Sequence, residues 1–406
     1  MRTILLGVAL MVAFVFATNF WEEGISPDAR EYERIADAAP GLPDEEIGSA
    51  FTERFVSPWI SGSLGELLPG GSRTGLWIIV AACAIAIVAL LVSICGQLGL
   101  GPVAVILCLG LIVLNPYLFR AFSQDPGPVD PLFVTGIAIV IWALVIQRFG
   151  YLLVGALVAI LGRQSALLAI PAATAWLYAG EGWRSRPTRD RLLLSGTVVG
   201  AVILVYGGLK LAVSSFTFPF SPSIPGDTVL PVVGDPGSLS ELGSQAARVA
   251  APLVLVVGCI AGVLVGLARA RGQVRLPVEF WCAALIGLAI VVQPLLISPD
   301  FEGFYGNQAR LSALGVFPLC VALAYALRAA DARLEAAPRW ALAIGVIGLC
   351  AASLNDRASI IGPRTNGEFL VIQVLVAALL AWLLARQIGS PRGAPVKTRH
   401  ADALPR

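Results

Sequence analysis

Stretches of 15 to 23 mostly apolar residues recur along the chain from end to end, separated by short intervals rich in charge, Gly or Pro. Runs of that length match the roughly 20 residues that span a bilayer's hydrocarbon core. In lipid the backbone must satisfy its own polar groups, so the runs predict helices rather than strands. Twelve spans follow, at about 3–20, 75–95, 101–119, 131–147, 150–162, 165–180, 192–214, 248–268, 276–297, 311–327, 340–354 and 369–386, and the same pattern accommodates ten to thirteen. Two of them, 150–162 and 165–180, are short for a full crossing and predict broken or half-buried helices. The expected fold class is all-α: a polytopic transmembrane bundle.

Composition agrees. Hydrophobic residues make up 57% of the chain and charged residues 13%, against roughly 25% charged in a soluble domain. All seven cysteines (Cys83, Cys95, Cys108, Cys259, Cys282, Cys320 and Cys350) fall inside apolar runs, which argues for small apolar filler over a disulfide framework or a thiolate metal site. The single histidine, His400, lies in the polar tail, so acid–base chemistry would have to run on carboxylates, Arg, Tyr or Lys. The first run lacks a clear small-x-small cleavage site before Trp21 and reads as an uncleaved helix rather than a signal peptide.

Charge then orients the spans. With the N-terminus cytoplasmic, the inner segments hold 17 basic and 6 acidic residues, and the outer ones 11 basic and 20 acidic. That is the asymmetry of the positive-inside rule. It places both termini in the cytoplasm of a multi-pass cell-membrane protein. Residues 1–390 then form one integral membrane domain, with extracytoplasmic loops at 21–74 and 215–247 and a cytoplasmic tail at 391–406.

The first outer loop has helical structure of its own. Ser26 suits an N-cap and Pro27 a first helical position. Tyr32, Ile35, Ala36 and Ala39 then fall on one apolar face at i, i+3, i+4 and i+7. A second helix is expected after Pro43, capped by Asp44, with Ile47, Phe51 and Phe55 on one side. Both read as amphipathic helices lying along the membrane surface. Glu31, Glu33 and the acids at 44–46 read as a solvated face.

The chain resembles a known family at these loops. "SPDAREYERIA", with Asp28, Tyr32, Ile35 and Ala36, is similar to the first outer loop of the GT-C superfamily of membrane glycosyltransferases. "ERFVSPWISGSL" supplies a matching Arg54 and Pro58, "SQDPGPVDPLF" the acids Asp125 and Asp130, and "GRQSALLAIP" an Arg163 with Leu167 and Pro171 at the family's spacing. The likeness is clearest over residues 1 to 180. It departs at Gln164, where many members carry an acid beside the arginine.

The resemblance implies transfer of a hexose or pentose from a polyprenyl-phosphate donor to a glycan, lipid or protein acceptor at the outer face of the bilayer. Such transfer needs a base for the acceptor hydroxyl, which makes Asp28 the first candidate, with Asp125 or Asp130 as helper or substitute. The leaving phosphate gains charge, and Arg suits bidentate phosphate recognition. Arg54, Arg163 and Arg310 are the candidates, and Lys210 could neutralise the carrier phosphate. Tyr32 and Tyr305 are candidate substrate contacts. A divalent cation is compatible with this chemistry but not required by it, no residue set nominates a metal site, and nothing points to nucleic acid. Each residue has a bland alternative: first-turn acids offset a helix dipole, Asp is common in turns, and aromatic and basic residues gather at membrane borders. A transporter or flippase for a lipid-linked or small polar substrate is the main rival, and a non-enzymatic scaffold the third reading. Ion-coupled transport usually leaves acids inside the spans, whereas here they crowd the outer loops.

Overall fold

The computed structural model describes residues 27–44, 54–115, 118, 129–215, 247, 249–271, 275–297, 307–330 and 366–389, and among these every regular element is helical. Helices α1 (Pro27–Ala38) and α2 (Val56–Gly65) precede α3 (Gly71–Gln97) and α4 (Pro102–Val113). Then come α5 (Val129–Val145), α6 (Phe149–Gly162), α7 (Ala166–Ala179), the short α8 (Glu181–Arg184) and α9 (Thr188–Ser215). A 3-10 turn (Ala251–Leu253) opens α10 (Val254–Arg271), followed by α11 (Val278–Ile297), α12 (Asn307–Ala313), α13 (Val316–Ala329) and α14 (Asn366–Gly389). Every predicted span that falls on described residues coincides with a helix. Those at 3–20 and 340–354, nearly all of the 215–247 loop, and the 391–406 tail lie outside them.

Five helices are long and apolar enough to cross a membrane, and five shorter apolar ones run with them. The span expected at 311–327 divides into α12 and α13, broken at Leu314 and Gly315. The two short spans are α6 and α7, 14 residues each, which at 1.5 Å per residue rise only about 21 Å. That is less than the roughly 30 Å hydrocarbon core.

Small residues set the closest helix pairs. The α5–α6 hairpin closes because Gly136 lies against the Ala159 backbone and Gly162 against that of Phe133. On α10, Gly258, Gly262 and Gly266 recur every fourth residue and meet Ala377, Ala381 and Ala385 with Ile388 on α14. This small-xxx-small packing lets two backbones approach where lipid supplies no hydrophobic drive. The contacts advance together along both helices, so α10 and α14 run parallel.

α1 and α2 cover one end of the bundle. Tyr32, Ile35, Ala36 and Ala39 are all buried, as their spacing predicts. They are buried against protein rather than laid on lipid: α1 packs on α2 and α3, with Gly62 against the Ala36 carbonyl. The polar face of α1 carries an Arg34–Glu31 pair at 3.1 Å, a looser Arg73–Glu33 contact at 3.9 Å, and a Ser72 hydroxyl donated to Asp37. The helix expected after Pro43 falls largely outside the described residues. In its place α2 forms from "VSPWISGSLG", a segment read only as a motif.

The other end is tied by polar groups. The Trp183 indole donates to the Leu144 carbonyl at 3.0 Å, and the Glu181 backbone N–H to Glu279 of α11 at 2.8 Å.

Candidate active site

Asp130 is the second residue of α5, in its first turn, where a carboxylate faces the positive end of the helix dipole. Asp is common in turns, but here the helix begins at Val129 and draws Asp130 inside. Asp130 is 7% exposed and Arg163 4%. Such burial demands compensation, since an isolated charge away from water costs several kcal/mol, roughly, even after relaxation.

The compensation comes from far along the chain. Arg163 has extended backbone between α6 and α7, and the hairpin carries it back alongside the start of α5. One guanidinium nitrogen of Arg163 donates to Oδ1 of Asp130. On the other side Nε of Arg310, from α12, lies 3.3 Å from Oδ2. Both carboxylate oxygens are therefore engaged. Arg54, in the turn that opens α2, donates to the Tyr32 hydroxyl at 3.2 Å, joining α1 to the same group.

The five residues interact electrostatically as a set. For Arg54, burial opposes the charge, but the Tyr32 oxygen and then Asp130 outweigh it and hold the guanidinium above its ordinary value. For Arg163, burial and then the neighbouring Arg54 and Arg310 outweigh Asp130 and hold it below. Among the described residues, three guanidiniums thus face one carboxylate. Nε of Arg54 and of Arg163, with the Oγ of Ser165 and Oε1 of Gln164 beside it, are buried without a hydrogen-bond partner among the described residues. The arrangement can accept an anion at Arg54 and Arg163. It is poorly suited to taking a proton on Asp130, because Oδ1 accepts from one guanidinium and a second guanidinium stands 3.3 Å from Oδ2.

Tyr32, Arg54, Asp130, Arg163 and Arg310 are brought together. Asp28 is the second residue of α1, one turn before Tyr32 on the same helix face; its side chain lies outside the described residues, as do Asp125 and Tyr305. Lys210 is exposed near the end of α9, its ammonium 5.9 Å from the Tyr206 ring centre. Among the described residues, no group of three His, Cys, Asp or Glu side chains could hold a metal ion.

Asn115 escaped the sequence reading. Buried at the end of α4, it donates to the Pro252 carbonyl at 2.8 Å and accepts from the Leu118 N–H at 3.2 Å. The Ala251–Leu253 turn that it holds packs against α12, which carries Arg310. The signal was present: a lone amide closing an apolar run just before Pro116.

No protein-family model matches the chain, and no curated protein does. Two solved structures do: ArnT from Cupriavidus metallidurans in the apo state, at 14% identity, and the same protein bound to undecaprenyl phosphate, at 13%. Both align with a TM-score of 0.51 over 95% of this chain and 77% of theirs. The fold is like that of ArnT. Identity this low speaks to the fold alone, a polytopic helical membrane architecture, in which the arginine cluster stands at the end covered by α1 and α2.

Proposed function

We propose that this chain is a membrane glycosyltransferase that moves a sugar from a polyprenyl-phosphate carrier to an envelope glycan, lipid or protein acceptor on the extracytoplasmic face. The observation that carries the proposal is a buried cluster on a GT-C-like fold in which Arg54 and Arg163 each keep an Nε without a hydrogen-bond partner among the described residues. Buried Nε groups of Arg54 and Arg163 that have no hydrogen-bond partner among the described residues suit an anion, and a lipid phosphate supplies one. The ArnT structure holding undecaprenyl phosphate supports that class of carrier.

In the reaction the acceptor oxygen forms a bond to the anomeric carbon as the bond from that carbon to the phosphate oxygen breaks. The acceptor proton passes to a carboxylate, and the carrier leaves as a phosphate monoester with one more negative charge than it had as donor. Arg54 and Arg163 hold the phosphate, and their attraction grows as that charge develops, which favours the transition state over the ground state. Asp130 keeps Arg163 and Arg310 in place. Tyr32 orients Arg54. Asp28, one turn before Tyr32 on α1, is the base.

A gradient-free assay separates this reading from its transporter rival. Detergent-solubilised protein should form a glycosidic product from a polyprenyl-linked donor and an acceptor extract; movement of substrate only in sealed vesicles, with no product, would overturn the proposal. Orientation has its own check. Cysteine placed at Pro187 should react with a membrane-impermeant maleimide only after the cells are opened, and cysteine at Arg73 in intact cells. The opposite pattern would move the site to the cytoplasmic face.

A further inference from the structure

At the end of the bundle away from Asp130, the chain "EGWRSRPTRDRLL" turns from α8 into α9. Arg184, Arg186 and Arg189 are exposed there. The acids in the same stretch are Glu181 and Asp190, with Glu279 packed beside the first of them through its hydrogen bond to the Glu181 N–H. Arg191 is held otherwise, donating to the Tyr178 carbonyl at 3.1 Å. Trp183 is buried and fixes the segment, and the Arg186 guanidinium lies 4.8 Å from its ring centre.

The next two residues change character abruptly. Leu192 and Leu193 are 58% and 60% exposed, and the exposed surface continues along α9 through Gly196, Ile203 and Leu204. Among the described residues, no other group stands within 4 Å of where a side chain on Gly196 or Gly200 would begin. The outer face of α9 is therefore a long apolar surface that ends in three exposed guanidiniums.

We infer that this corner binds the headgroup of an anionic glycerophospholipid, with the phosphate at Arg184, Arg186 and Arg189 and an acyl chain along Leu193 and Leu204. A charged group placed where exposed apolar surface begins meets the level of the phosphates in a bilayer, and guanidinium pairs with phosphate through two parallel hydrogen bonds. Trp183 keeps the segment in position, so little ordering accompanies binding. The site takes a structural lipid of the bilayer and is separate from the Asp130 cluster.

The test uses the full chain in nanodiscs of phosphatidylcholine alone or mixed with phosphatidylglycerol, read by native mass spectrometry for retained lipid and by melting temperature. Each basic residue near an anionic surface changes binding by about fivefold. The triple variant R184Q/R186Q/R189Q should therefore lose the preference for phosphatidylglycerol by about tenfold or more. It should melt like the unmodified protein in phosphatidylcholine, which checks that it folds. R184K/R186K/R189K keeps the charge and should retain most of the preference, and R73Q, at the other end, should retain all of it. Undiminished phosphatidylglycerol retention by the glutamine triple would overturn the inference. So would an unmodified protein with no preference, or one that buries this face in a dimer without retained lipid.

Discussion

Asp28→Asn is expected to abolish sugar transfer while leaving the protein folded and still able to bind the lipid donor. The substitution keeps size and removes only the capacity to accept a proton. Loss of a positioned general base typically lowers turnover by about 10²–10⁴-fold, and Asp130 cannot take over, because both of its oxygens face guanidiniums. The competing account is local. Asp28 lies in the first turn of α1, where an acid offsets the helix dipole by only about 0.3–1 kcal/mol. On that account the variant melts slightly lower and turns over almost normally. Glu33→Gln is the control, since Glu33 lies on the polar face and makes only the 3.9 Å contact to Arg73. Equal turnover by the two variants would remove Asp28 from the mechanism and pass the base role to Asp125.

Much of this is legible in the sequence, and the reason is local periodicity. Tyr32, Ile35, Ala36 and Ala39 announce a buried face because 3.6-residue spacing and burial have one cause. Arg163 stood out because an ionisable group between two apolar runs is costly enough to imply a partner. What stayed hidden was mostly non-local. Arg54, Asp130, Arg163 and Arg310 belong to four segments, and nothing in a hydropathy pattern says that α6 returns Arg163 to the start of α5. α2 was missed for a different reason. Its buried residues are Ser57, Pro58, Ser61, Gly62 and Gly65, selected for close backbone approach, and small residues leave almost no hydrophobic signal. The glycine stripe of α10 is silent for the same reason until it is set beside the alanines of α14.

The Asp130 cluster yields the second large effect, and here stability and activity should part. Removing one partner of a buried ion pair typically costs about 3–5 kcal/mol, because the other charge is left uncompensated. Asp130→Asn takes the carboxylate away from the buried Arg163, whereas Arg163→Gln leaves Asp130 still paired with Arg310 at 3.3 Å. Asp130→Asn should therefore be the more destabilising of the two in a thermal melt. The double variant should recover part of that loss, since it also removes the Arg163 guanidinium left uncompensated, and residues in direct contact are where such non-additivity is found. Activity should not follow. Arg163→Gln removes a phosphate ligand, so the double variant stays inactive however stable it becomes. Added polyprenyl phosphate supplies a further check. An anion can substitute for the missing carboxylate, so it should raise the melting temperature of Asp130→Asn more than that of the unmodified protein, since ligand linkage grows with affinity for the folded state. An Asp130→Asn protein that gains nothing from the anion, and a double variant as unstable as Asp130→Asn alone, would mean that the three arginines do not form one anion site.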